Sequence, residues 1–176
     1  MLHFATFGGT VLKVLFFLLA VASCAVILTG NLTWLEIRRT QDRAVVTVLS
    51  RLTAGVATGF LPATALLFLA DRWVPAAVGS PDWWADMVLF GSWGLAVCYA
   101  LARRNVARTH RSLLVAGGVL ALLVPLANGL TTGDWLWRAW SEGLWPVLGV
   151  DVGALLCGGA ALGTAACLTV DATPSA

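Results

Sequence analysis

The stretch VLKVLFFLLAVASCAVILTGNLTWL, Val11 to Leu35, decides the fold. Lys13 near its start and Asn31 near its end are its main interruptions. A bilayer's hydrocarbon core is about 30 Å thick, and a helix needs roughly 20 apolar residues to cross it. This stretch is long enough. Four more follow: Leu52 to Ala70 with Pro62 inside, Trp84 to Ala102, Ser112 to Thr132 with Pro125 inside, and Pro146 to Val170. None alternates with period two, and all are too long for the strands of a membrane barrel. The sequence therefore predicts an all-α polytopic membrane bundle of five transmembrane helices. The two prolines predict kinks, tolerated where neighbouring groups satisfy the carbonyls they free.

Composition leads to the same class. Of 176 residues, 59% are hydrophobic and 11% charged, with a mean hydropathy of +0.86. A soluble domain carries about 25% charged residues, so too little polar surface remains to cover a water-soluble globule. Disorder is excluded for the same reason. Eleven basic residues against nine acidic ones leave a net charge of +2, which argues against a nucleic-acid partner. The partner implied is the lipid bilayer.

Basic residues are distributed unevenly. Arg38, Arg39, Arg43 and Arg51 separate spans one and two, and Arg103, Arg104, Arg108 and Arg111 separate spans three and four. The other two loops carry Arg72 and Arg138 among Asp71, Asp82, Asp86, Asp134 and Glu142, beside seven tryptophans from Trp73 to Trp145. The positive-inside rule puts the arginine loops in the cytoplasm and the tryptophan loops outside. The N-terminus is then periplasmic and the C-terminus cytoplasmic, in a multi-pass protein of the bacterial inner membrane. No basic region precedes span one, so it does not read as a signal peptide. An outside N-terminus follows naturally if an upstream segment has already crossed, and the sequence reads as the second half of a longer protein.

Cys24, Cys98, Cys157 and Cys167 all lie in apolar stretches without a CxxC pair, and read as small buried hydrophobes. Two histidines, His3 and His110, are too few for a zinc site, and no metal site is expected. Asn128 and Asp151 are polar groups at membrane depth, where such groups face the bundle interior. Asn128, three residues after Pro125, is placed to bond a carbonyl that the proline frees. A pairing of Asp151 with Asn128, or with Arg138, would satisfy the carboxylate; a polar clasp between helices is the plainer reading, proton or substrate handling the functional one. Gly55/Gly59, Gly149/Gly153 and Gly159/Gly163 are spaced four apart, which suits close helix packing first and an oligomer interface second. No P-loop, GxGxxG, HExxH or GxSxG motif occurs.

Leu2-His3-Phe4, Phe7-Gly8-Gly9, a long apolar span, then Thr29-Gly30-Asn31, Trp34-Leu35 and Arg38-Arg39 resemble the last core membrane span of the PepSY-associated transmembrane family. Ala5 stands where that family usually has glycine. Pro125 to Gly133, and then Asp151, look like the C-terminal extension of its longer members. The resemblance implies residues 1–39 as the family's last core span and 40–176 as a four-helix membrane extension. It further implies an inner-membrane protein with PepSY domains in a preceding half, tied to iron and siderophore uptake, some members being haem-containing reductases. His3 is then the candidate ligand of a b-type haem near the periplasmic face, and His110 a weaker candidate for an inner haem. The two lie a bilayer apart and do not share one haem, so the second ligand must come from outside this chain. The chain is accordingly not expected to be catalytic on its own but to form part of a membrane ferric or siderophore reductase. The alternative is a non-catalytic helical scaffold or partner subunit.

Overall fold

A computed structural model describes residues 9–38, 40, 43–73 and 82–168. Among these, every regular element is helical: α1 (Gly9–Arg38), α2 (Arg43–Trp73), α3 (Asp82–Ala102), α4 (Val106–Thr132), α5 (Leu136–Ser141) and α6 (Trp145–Cys167). All but the short α5 are long and apolar enough to cross a membrane. The architecture is that of a multi-pass membrane protein. The chain divides into two compact units, Met1–Leu49 and Ser50–Ala176, each described by itself.

In the first unit, α1 is apolar around its whole circumference, as a membrane span is. Its hydroxyls are turned back onto the helix: Ser23 donates to the Leu19 carbonyl at 2.8 Å, Thr29 to Ala25 at 2.8 Å and Thr33 to Thr29 at 2.8 Å. These three hydroxyls need not then face hydrocarbon unsatisfied. The Arg38 guanidinium lies 4.8 Å from the centre of the Trp34 ring at the helix end.

In the second unit, small residues set the helix spacing. A side chain at Gly55 would meet the Val97 Cα at 2.8 Å, and one at Gly59 the Ala96 Cβ at 2.6 Å, so α2 and α3 touch nearly backbone to backbone. Gly117 and Gly118 serve opposite neighbours. The first seats Leu61 and Pro62 of α2, and the second faces Gly158 of α6, whose carbonyl a Cβ would meet at 3.0 Å. Leu69, Val124 and Ala127 form the apolar centre, flanked by Leu120 and Ala154. Gly133, at φ 77°, ends α4 in the left-handed conformation that glycine adopts without strain, its N–H bonding the Gly129 carbonyl.

Two boundaries depart from the sequence reading. α2 begins at Arg43 and not near Leu52, and α4 at Val106 and not near Ser112. Arg43, Arg51, Arg108 and Arg111 therefore belong to helices and not to loops. An arginine can continue a helix while lowering local hydropathy, so hydropathy alone ends the spans too early. The cysteines need correction too. Cys24, Cys98, Cys157 and Cys167 are all exposed on helix surfaces, because hydropathy does not separate a lipid-facing position from a core one.

Candidate functional site

The second unit has two unlike ends. At the arginine end, three side-chain bonds tie neighbouring helices. Arg51 Nη1 donates to the Leu101 carbonyl near the end of α3 at 3.4 Å, the Tyr99 hydroxyl meets Ser112 Oγ at 3.0 Å, and Thr58 Oγ1 lies 2.6 Å from His110 Nδ1. His110 thus corrects its expected place. A span beginning at Ser112 leaves it in the arginine loop, whereas it is a half-buried member of α4, hydrogen-bonded to α2. The α3–α4 connection is reduced to residues 103–105, where Asn105 caps α4 by accepting from the Arg108 N–H at 3.0 Å.

At the tryptophan end, α4 and α6 bring together the two polar residues singled out from the sequence. Asn128 Nδ2 donates to Asp151 Oδ2 at 3.1 Å, with Asn128 2% and Asp151 1% exposed. The Asn128 side-chain oxygen Oδ1 accepts from Thr132 Oγ1 at 3.3 Å. Pro125 deprives the Ala121 carbonyl of its helical donor, but the Asn128 amide turns to Asp151 and not back toward that carbonyl. Arg138, the other partner considered for Asp151, instead donates from Nε to Glu142 Oε1 at 2.7 Å on exposed α5. That hydrogen bond, and then the charge behind it, raise the guanidinium's pKa above its ordinary value.

Arg72 completes the group. It stands in the last turn of α2 and shares with Asn128, Asp151, Pro146, Val147 and Val150 the wall of a cavity of about 200 Å³. Sequence reading counted Arg72 only as a loop charge. The available signal was its position on α2 one turn beyond Phe68. A second, apolar cavity of about 260 Å³ adjoins along Val150, between α2 and α6 with α4 as its floor.

Above the clasp, Trp135 lies against Gly129, where a Cβ would meet its ring at 2.5 Å, and stacks on Trp137 with ring centres 5.2 Å apart. Trp140 and Trp145 meet edge to face at 5.4 Å. These rings form an amphipathic rim of the kind found at membrane–water boundaries.

His3 lies outside the described residues. No group of three or more histidine, cysteine or acidic side chains placed to hold a metal ion occurs among the described residues. The Gly55/Gly59 pair packs α2 against α3, as expected of ordinary helix packing. The Gly149/Gly153 and Gly159/Gly163 pairs do not serve that purpose here, since side chains added there would meet nothing within 4 Å.

No family model and no solved structure matches the chain. It is 29% identical over 163 residues to an uncharacterized protein of Pseudomonas aeruginosa, a match covering 89% of this chain. The match takes in 39% of that protein, so the chain spans well under half the length of this relative.

Proposed function

We propose that the chain is the C-terminal membrane part of a PepSY-type protein of the bacterial inner membrane, serving haem-dependent reduction linked to iron and siderophore uptake. The observation that carries this reading is the sequence pattern of residues 2–39, with His3 before span one and Thr29, Trp34 and Arg38 closing it. A relative more than twice as long agrees with a PepSY-bearing half that precedes this region or is supplied by a second subunit. Arginines gathered at one end and tryptophans at the other support an inside arginine end and an outside tryptophan end, which sets His3 toward the periplasm.

A b-type haem, when bound, supplies one-electron transfer. Within this chain His3 is the residue that would hold it, with the opposite imidazole coming from elsewhere. His110 does not suit the inner site considered for it. Its Nδ1 is engaged by Thr58 between two helices, and neither cavity described above has His110 in its wall. The chain's other contribution is a rigid, water-poor anchor built on α4 and α6.

Reduced-minus-oxidised spectra test the reading in membranes containing the chain together with a PepSY-bearing half. A low-spin bis-imidazole signal is expected, lost in His3→Ala and retained in His110→Ala. The isolated chain is expected to hold no stoichiometric six-coordinate haem. An unchanged spectrum in His3→Ala would remove His3 and the redox role with it.

A scaffold is the second reading, favoured by one observation. Leu156, Gly159 and Gly163 make an outward stripe on α6, with Leu156 68% exposed and open space at both glycines. Such a face admits close approach of a partner helix. A stable partner recovered without any chromophore would favour it over the redox reading.

A further inference from the structure

The two cavities adjoin at Val150, which lines both, and together mark a groove between α2 and α6. On α2, Leu61, Ala65, Phe68 and Arg72 follow one another at spacings of four, three and four, so they share a helix face. On α6, Val147, Val150, Ala154 and Cys157, at spacings of three, four and three, share a face as well. The groove between these stripes runs about 16 Å along the helices, from the membrane boundary toward the bilayer centre. Its deep part is apolar, widened by the open space at Gly149 and Gly153. Among the described residues, its mouth is lined by the cation Arg72 and the buried Asp151.

We propose that this groove is a binding site for one phospholipid with an ethanolamine-type headgroup, phosphate on Arg72, ammonium toward Asp151, and one acyl chain between α2 and α6. Size favours a lipid chain over a helix. The two cavities measure about 260 and 200 Å³, whereas a helix of that length and about 10 Å across needs more than about 1000 Å³. Charge selects the headgroup. A wholly anionic lipid would use Arg72 for its phosphate and bring no cation to Asp151, whereas a zwitterion matches both walls. Asp151 gives one oxygen to Asn128, and a carboxylate has about four acceptor positions, so capacity for an ammonium remains. Arg72 lies one residue from the end of α2, at headgroup level whichever way the protein faces.

Native mass spectrometry of the full chain, delipidated and then offered phosphatidylethanolamine or phosphatidylglycerol of matched acyl chains, tests the site. One retained phosphatidylethanolamine is expected, preferred about tenfold, the scale of one charge-assisted contact. Asp151→Asn should abolish the preference, and Arg72→Gln should weaken retention of both lipids. Gly153→Phe should block retention altogether, and the open space at Gly153 lets the bundle keep its helical circular dichroism. Equal retention of both lipids by the native chain, or full retention in Gly153→Phe, would overturn the proposal. So would efficient disulfide pairing of two copies through Gly153→Cys in a chain otherwise free of cysteine, which would give the groove to a second copy.

Discussion

A carboxylate and a carboxamide buried at membrane depth are tolerable because each satisfies the other. Removing the Asn128 amide leaves the buried Asp151 short of a donor. Interhelical bonds of this kind in membranes contribute about 0.6 kcal/mol on average and rarely more than about 1.7. Asn128→Ala is therefore expected to lower stability by about 1–2 kcal/mol, since it leaves a buried acceptor without its donor. Asp151→Asn, which keeps an acceptor, should cost less than about 1 kcal/mol on the same scale. Thr58→Val, which removes the bond to His110, should cost about 0.6 kcal/mol. Denaturant titration in micelles, followed by circular dichroism, measures all three; a silent Asn128→Ala would mean that the clasp contributes nothing. Asn128 and Asp151 were legible in the sequence because polar residues are scarce inside apolar runs. Arg72 and Thr58 were not. An arginine near a helix end looks like any loop charge, and a single threonine hydroxyl is absorbed into the helical background.

Helix contacts in the second unit are made where backbones nearly touch, and neighbouring glycines differ sharply. A Cβ at Gly158 would sit 2.9 Å from the Gly118 carbonyl, whereas one at Gly159 would meet nothing within 4 Å. Gly158→Leu should therefore force α4 and α6 apart and destabilise the bundle by about 1–3 kcal/mol, as overpacking does. Gly159→Leu should leave thermal unfolding nearly unchanged. Equal effects at the two positions would contradict the α4–α6 crossing. Four-residue glycine spacing foretold the Gly55/Gly59 contact but not that Gly149/Gly153 and Gly159/Gly163 open outward, because the spacing marks a helix face and not what lies against it. Hydropathy placed all five long helices, since each must supply an apolar run of membrane length. It missed the first turns of α2 and α4, where arginine and threonine are helical, and the six-residue α5, too short to show a period.

At the scale of the whole protein, the account stands on which end of the bundle faces the cytoplasm, because that choice fixes where His3, the tryptophan rim and the lipid groove operate. Eight of eleven basic residues lie on or beside the α1–α2 and α3–α4 connections. On or beside the α2–α3 and α4–α6 connections lie Arg72 and Arg138, with five acidic residues. Charge counting reads that asymmetry without any knowledge of contacts, which is why the sequence yields an expected orientation but not the helix partners. The direct measurement is thiol labelling in intact cells, with the four native cysteines replaced and single cysteines introduced by Ser141→Cys in α5 or Arg104→Cys between α3 and α4. Ser141→Cys should react with a membrane-impermeant reagent added outside, and Arg104→Cys only after the cells are permeabilised. Labelling of Arg104→Cys in intact cells, with Ser141→Cys protected, would invert the protein and contradict the periplasmic placement of His3.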